Sequence, residues 1–110
     1  MKKIIFGVFI MVISLFGSCG KKTPEQQFWK WFKKNQDMLF DFEKDREGTF
    51  DKLAEELGKL DPNLTFEFGP NKSGVREFVV SAGGIKETFP AVESLCAAAP
   101  ELPRWKVVKF

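Results

Sequence analysis

Residues 64–82 read Leu64-Thr65-Phe66-Glu67-Phe68, then Gly69-Pro70-Asn71-Lys72-Ser73-Gly74, then Val75 and Arg76-Glu77-Phe78-Val79-Val80-Ser81-Ala82. Leu64, Phe66 and Phe68 alternate with polar residues, the period of a strand with one buried face. The Gly, Pro, Asn and Ser of the next six residues supply the backbone freedom and side-chain hydrogen bonds of a turn. Arg76 to Ala82 reads as the return strand, with Phe78 and Val80 on the face of Phe66. This hairpin predicts a sheet whose apolar face other elements must cover.

Those covering elements lie on both sides. Downstream, Gly83-Gly84 turns the chain and Ile85 to Ala99 predicts a helix with Phe89, Val92, Leu95, Cys96 and Ala99 on one face. Thr88 or Phe89 falls near its N-cap, with Pro90 in the first turn, where it is tolerated. Pro100-Glu101-Leu102-Pro103 is a rigid link into a third alternating segment, Trp105 to Phe110. Upstream, Thr23-Pro24-Glu25-Gln26 carries the marks of a helix start: an N-cap threonine, proline at the first position and acid in the first turn. Phe28, Phe32, Leu39, Phe42, Phe50, Leu53, Leu57 and Leu60 then recur at helical spacing, interrupted at Asn35 and Arg46. Gly48-Thr49 interrupts the pattern, since glycine costs about 1 kcal/mol inside a helix. The expectation is one helix to about Arg46 and a second from Thr49 to Gly58, kinked or folded back, ended by Asp61-Pro62-Asn63. The fold class is therefore α+β: a long or kinked N-terminal helix, a β-hairpin, a helix and a strand, giving a three-stranded mixed sheet covered by helices. The last strand has two places open to it, beside Leu64–Phe68 or beside the return strand.

The first nineteen residues carry a different message. Lys2 and Lys3 precede an apolar run from Ile4 to Phe16, about 13 residues long, which suits a signal-peptide core and is too short to span a bilayer. Gly17-Ser18 follows, then Cys19. Leu15-Phe16-Gly17-Ser18-Cys19 resembles a bacterial lipobox, with Phe16 departing from the small or branched residue usual there. The resemblance implies that residues 1–18 are removed and that the Cys19 thiol carries diacylglycerol. Residues 19–24 then form a lipidated tether and residues 25–110 the α+β domain. Gly20, in place of an aspartate that would resemble an inner-membrane retention signal, favours the outer membrane in a two-membrane organism.

Charge and cysteine usage exclude several functions. The net charge of +2 rests on Lys2 and Lys3, so the chain from Cys19 onward is formally neutral, with no basic excess to replace counterions on nucleic acid. Its charges are nonetheless segregated. Lys21, Lys22, Lys30, Lys33 and Lys34 face only Glu25, whereas Asp37 to Glu47 carries five acids against Lys44 and Arg46. The basic end is an ordinary solvated helix face or a surface that meets anionic headgroups beside the anchor. Histidine is absent, and with it the commonest general base and metal ligand. Cys96 is the only other cysteine, expected as a small core residue. No cofactor is implied.

Two sets of residues remain as candidate sites. At 100° per residue Trp29 and Phe40 fall on a second apolar stripe, which either packs under a neighbouring element or, with Trp31, contacts a protein partner or the membrane interface. Glu67 and Glu77 can stand side by side on the hairpin, with Lys86 or Arg76 as electrostatic partner. Paired carboxylates of that kind could serve a hydrolase, although a hairpin on a small sheet offers little cleft.

Asn63 to Pro70, Arg76 to Ala82, Phe89-Pro90-Ala91-Val92-Glu93, Ala99-Pro100, Leu102-Pro103, Trp105 and the aromatic opening Phe28-Trp29-Lys30-Trp31-Phe32 together resemble a bacterial α/β family of unknown function. The resemblance covers most of residues 25–110 and implies no activity and no catalytic residues. It does imply relatives that continue into a second α/β half, so that the chain reads as a single-domain anchored form or a truncated, accessory one. The leading expectation is a membrane-anchored envelope lipoprotein with a non-catalytic binding domain.

Overall fold

The computed structural model describes residues 22–110. The expected signal peptide, and Cys19 with it, lie outside that range. The described chain is α+β, with four helices and one three-stranded mixed sheet.

Helix α1 (Pro24–Lys34) starts where the sequence says it should. Thr23 Oγ1 accepts from the Gln26 amide at 3.1 Å, and the Gln26 side chain accepts from the Thr23 amide at 3.0 Å. This reciprocal pair satisfies two amides that the helix leaves free. The first helix is shorter than expected, and its break falls elsewhere. Asn35 ends α1, its side-chain amide donating to the Trp31 carbonyl at 2.9 Å. A short α2 (Gln36–Phe40) and a 3-10 turn (Phe42–Asp45) follow before α3 (Arg46–Gly58). Gly48 does not interrupt the helix. It occupies the third position of α3, where its amide donates to Asp45 Oδ1 at 3.2 Å, so the acid before the glycine caps the new helix. Local hydrogen bonding by Asn35 and Asp45 outweighs the glycine penalty in placing the boundary.

Asp61 stops the helical half by accepting from the Asn63 amide at 2.8 Å. Strand β1 (Thr65–Phe68) pairs antiparallel with β2 (Arg76–Ser81), Phe66 opposite Val80 and Phe68 opposite Phe78. In the intervening loop Asn71 Oδ1 accepts from the Gly74 amide at 2.9 Å, and Gly74 takes a φ of 85° that only glycine adopts freely. A 3-10 turn (Lys86–Thr88) leads into α4 (Phe89–Ala97), and β3 (Trp105–Lys109) closes the fold. β3 runs parallel to β2, with Phe78 opposite Val107. The sheet order is β1-β2-β3, so the last strand lies beside the return strand.

Phe66, Phe68, Phe78, Val80, Trp105 and Val107 share one sheet face, and all four helices contribute to the layer over it. Phe32 is wholly buried at its centre, its ring 4.9 Å from that of Phe78 and 5.0 Å from that of Trp105. Leu39, Leu53, Leu57 and Leu95 are also fully buried. Each such side chain contributes about 1.5–3 kcal/mol over its exposed state, which is how so small a domain sustains a core. The other sheet face is left uncovered, with Thr65, Glu67, Glu77 and Lys106 exposed.

Candidate functional site

The second aromatic stripe is not a contact surface. Trp29 is 3% exposed and Phe40 5% exposed, both part of the core. The Trp29 indole packs 5.0 Å from Phe28 and 5.9 Å from Phe78, and its Nε1 donates to the Leu95 carbonyl of α4 at 2.8 Å. Trp29 is covered because α4 packs over it. Phe40 lies beyond the break at Asn35, so it leaves the direction a continuous helix would give it. Its ring meets Trp105 edge-on at 5.6 Å, with the guanidinium of Arg104 at 4.0 Å and that of Arg76 at 5.1 Å. Trp31 alone of the three remains partly exposed, on α1.

The hairpin carboxylates are not directly opposed. The observed register sets Glu67 across from Val79, while the Glu77 carbonyl accepts from the Gly69 amide at 2.9 Å. Both acids are exposed on the open sheet face. Arg76 belongs to the opposite face and is buried. Its Nη1 donates to the Gly69 carbonyl at 2.7 Å, Nη2 reaches Glu43 at 3.3 Å, and the Phe42 ring lies 4.7 Å from its guanidinium. Arg76 therefore ties the end of the hairpin to the turn between α2 and α3 and is unavailable to Glu67 or Glu77. Lys86 sits in the exposed turn before α4. Among the described residues no group of three or more Cys, Asp or Glu is arranged to hold a metal ion.

The surface that does gather apolar side chains lies along α4 and the free edge of β3. Phe89 is 47% exposed and Phe110 86% exposed, and the two line one cleft of about 220 Å³ with Val92, Glu93 and Lys109. Phe89 was expected on the buried face of its helix. It lies about 120° round from Leu95, at the rim rather than at the centre. A second groove, about 530 Å³, shares Glu93 and Lys109 and continues past Cys96, Ala97 and Ala99 to Leu102, Trp105 and Val107. The short side chains at the end of α4 leave this space open. Among the described residues the Trp105 indole on its wall has no hydrogen-bond partner, in common with Thr88 Oγ1 and Arg76 Nε.

Backbone polarity adds to this edge. The Arg104 carbonyl and the Phe110 amide both bond to β2, at 3.0 and 2.9 Å. Alternation along the strand turns the amides and carbonyls of Val107 and Lys109 away from the sheet. A Glu93–Lys109 ion pair of 2.7 Å bridges the groove, and the Glu93 carboxylate raises the Lys109 ammonium above its usual value. Cys96 is half-buried in the groove wall. Burial pushes its thiol up, Lys109 draws it back down and Glu93 adds to the rise, so the reactive thiolate is disfavoured.

The last strand is legible in the sequence from the alternation of Trp105–Phe110, and either place open to it, beside Leu64–Phe68 or beside the return strand, is a sheet edge. The groove is not, since its walls come from α4 and β3 together. No family model matches the chain, and no match is found among curated proteins or solved structures.

Proposed function

We propose that the chain is a lipid-anchored protein of the bacterial cell envelope, held through diacylglycerol on Cys19, whose α+β domain binds a protein partner and catalyses nothing. The observation that carries the anchor is the order Lys2-Lys3, apolar Ile4–Phe16, Gly17-Ser18, Cys19. Each buried acyl CH₂ contributes about 0.8 kcal/mol, so two chains suffice for stable attachment. In a two-membrane organism Gly20 favours the outer membrane. No helix among the described residues is long and apolar enough to cross a membrane.

For the binding role, the support is the free edge of β3 beside an apolar groove. An extended segment of a partner would pair with the outward groups of Val107 and Lys109 and set an apolar side chain between Phe89 and Phe110. That is strand addition, in which backbone bonds supply affinity and alternate side chains supply selectivity. The alternative of a carboxylate-dependent hydrolase is the weaker one, because Glu67 and Glu77 stand on an open face with no cleft between them.

The anchor is tested by mass spectrometry of the membrane fraction for the native chain and Cys19→Ser. A mature terminus at Cys19 bearing diacylglycerol is expected, and an uncleaved or unmodified product refutes the reading. The edge is tested by photo-crosslinking from position 107 in cells, with and without Lys109→Pro. Proline there keeps the β2–β3 bonds and removes an outward donor. One discrete adduct that Lys109→Pro abolishes is expected; an adduct indifferent to the proline argues against strand addition.

A further inference from the structure

We infer that α1 is the membrane-facing side of the domain: its outward face docks on a bilayer carrying anionic phospholipid, which leaves the open sheet face pointing away from the membrane. The inference rests on the lipid anchor proposed above and adds an orientation and a lipid chemistry to it.

Helix α1 buries Phe28, Trp29 and Phe32 against the sheet and α4. Its opposite side carries Lys30, Lys33 and Lys34 with Gln26 and Gln27, all exposed. Among the described residues none of these three lysines forms an ion pair, as is also true of Lys44, Lys52, Lys72, Lys86 and Lys106; on α1 the three share one face with no acid on it. The missing counter-charge does not lie in residues 1–21, which contain no acid. Glu25, the one acid of the helix, is turned partly inward. A helix face bearing three unpaired lysines and no carboxylate is complementary to a negatively charged surface.

The tether brings such a surface within reach. Cys19 stands four residues before the Thr23 cap, a span of at most about 14 Å when fully extended. The screening length at physiological salt is about 8 Å, of the same order as that span, so the headgroup potential is still felt at the distance the tether allows. Lys22, also exposed, lies on the tether itself. Trp31 sits at the border of the lysine face, one turn before Lys34, and is the one tryptophan left partly exposed. Tryptophan is favoured at the headgroup level. The acids of residues 37–51 are on the elements after the break at Asn35, so the same segregation that draws α1 to an anionic surface turns those elements from it.

The test uses the mature lipidated protein, purified from membranes and reconstituted into phosphatidylcholine vesicles with or without about one-third phosphatidylglycerol. A membrane-impermeant amine acylating reagent is applied and modification is read at each lysine by peptide mass spectrometry. Phosphatidylglycerol is expected to slow labelling of Lys30, Lys33 and Lys34 several-fold while leaving Lys106, on the open sheet face, unchanged. The protection should vanish at about 1 M salt, where the screening length falls to about 3 Å. Equal labelling of the three lysines in both vesicles overturns the inference, as does protection of Lys106 or protection that survives the salt. The N-terminal peptide in the same digest reports whether Cys19 is lipidated. A lipidated chain without protection refutes the docking alone, and an unlipidated one refutes the anchor and the docking with it.

Discussion

Trp29→Ala separates a core residue from a contact residue more sharply than any other change in this chain. The indole is 3% exposed, packs against Phe28, Phe32 and Phe78, and donates a 2.8 Å hydrogen bond to the Leu95 carbonyl. Removing a buried Trp or Phe side chain to alanine costs about 3–5 kcal/mol, because the cavity adds to the lost burial. At roughly 0.05–0.15 kcal/mol per residue, a domain of this size holds about 4–13 kcal/mol in all. Trp29→Ala should therefore remove about a quarter or more of the stability and, at the lower end of that range, leave the domain near its unfolding midpoint. Trp29→Phe keeps most of the packing and loses the indole donor. The Leu95 carbonyl retains the Ala98 amide at 3.2 Å, so no buried acceptor is orphaned and the cost is about 1–2 kcal/mol. Urea unfolding followed by far-UV circular dichroism reads both variants. With a slope near 1–3 kcal/mol per molar, Trp29→Phe should lower the midpoint by about 1 M and Trp29→Ala by more than twice as much. A Trp29→Ala protein within 1 kcal/mol of the native chain would refute the placement of this residue in the core.

Two further outcomes follow from local geometry. Gly48→Ala should not give the gain of about 1 kcal/mol usual for a helical glycine, because the new Cβ would meet the Asp45 carboxylate that caps the Gly48 amide. In an Asp45→Ala background the same substitution should recover that gain, and a double-mutant cycle by thermal unfolding measures the difference; equal effects in both backgrounds would sink the capping role. Cys96 should alkylate slowly, with a rate inflection above the ordinary free-thiol range near 8.5, since burial disfavours its thiolate. Lys109→Ala should move the inflection higher still, because it removes the one positive charge that draws the thiol down; a downward move would contradict the assignment.

Much of the architecture was legible in local pattern. Thr23-Pro24-Glu25-Gln26 carries its own capping chemistry, and the alternation from Leu64 to Phe68 and from Arg76 to Ala82 states which side chains face inward. Gly83 and Gly84, at φ of 62° and 82°, mark their turn for the same local reason. The helical half was harder. Gly48 looked like a breaker on propensity alone, yet Asp45 three residues earlier makes it part of a cap. Asn35, a polar interruption of the helical stripe, ends α1 with its side-chain amide on the Trp31 carbonyl. The candidate contact surface was not legible, because a helical wheel sets Trp29 and Phe40 on a stripe without saying what lies over it.

The sequence by itself determined which segments are helix and which are strand and which sheet face is apolar, and it carries the run of residues up to Cys19 on which the proposed anchor rests. Each depends on residues a few positions apart, where backbone preference, capping and periodicity act. Only the tertiary structure decided that β3 lies beside β2, that α4 buries Trp29, that Arg76 turns away from Glu67 and Glu77, and that a groove opens beside the free strand edge. Those outcomes depend on residues far apart in the chain, such as Trp29 and Leu95, whose meeting is set by how the layers pack.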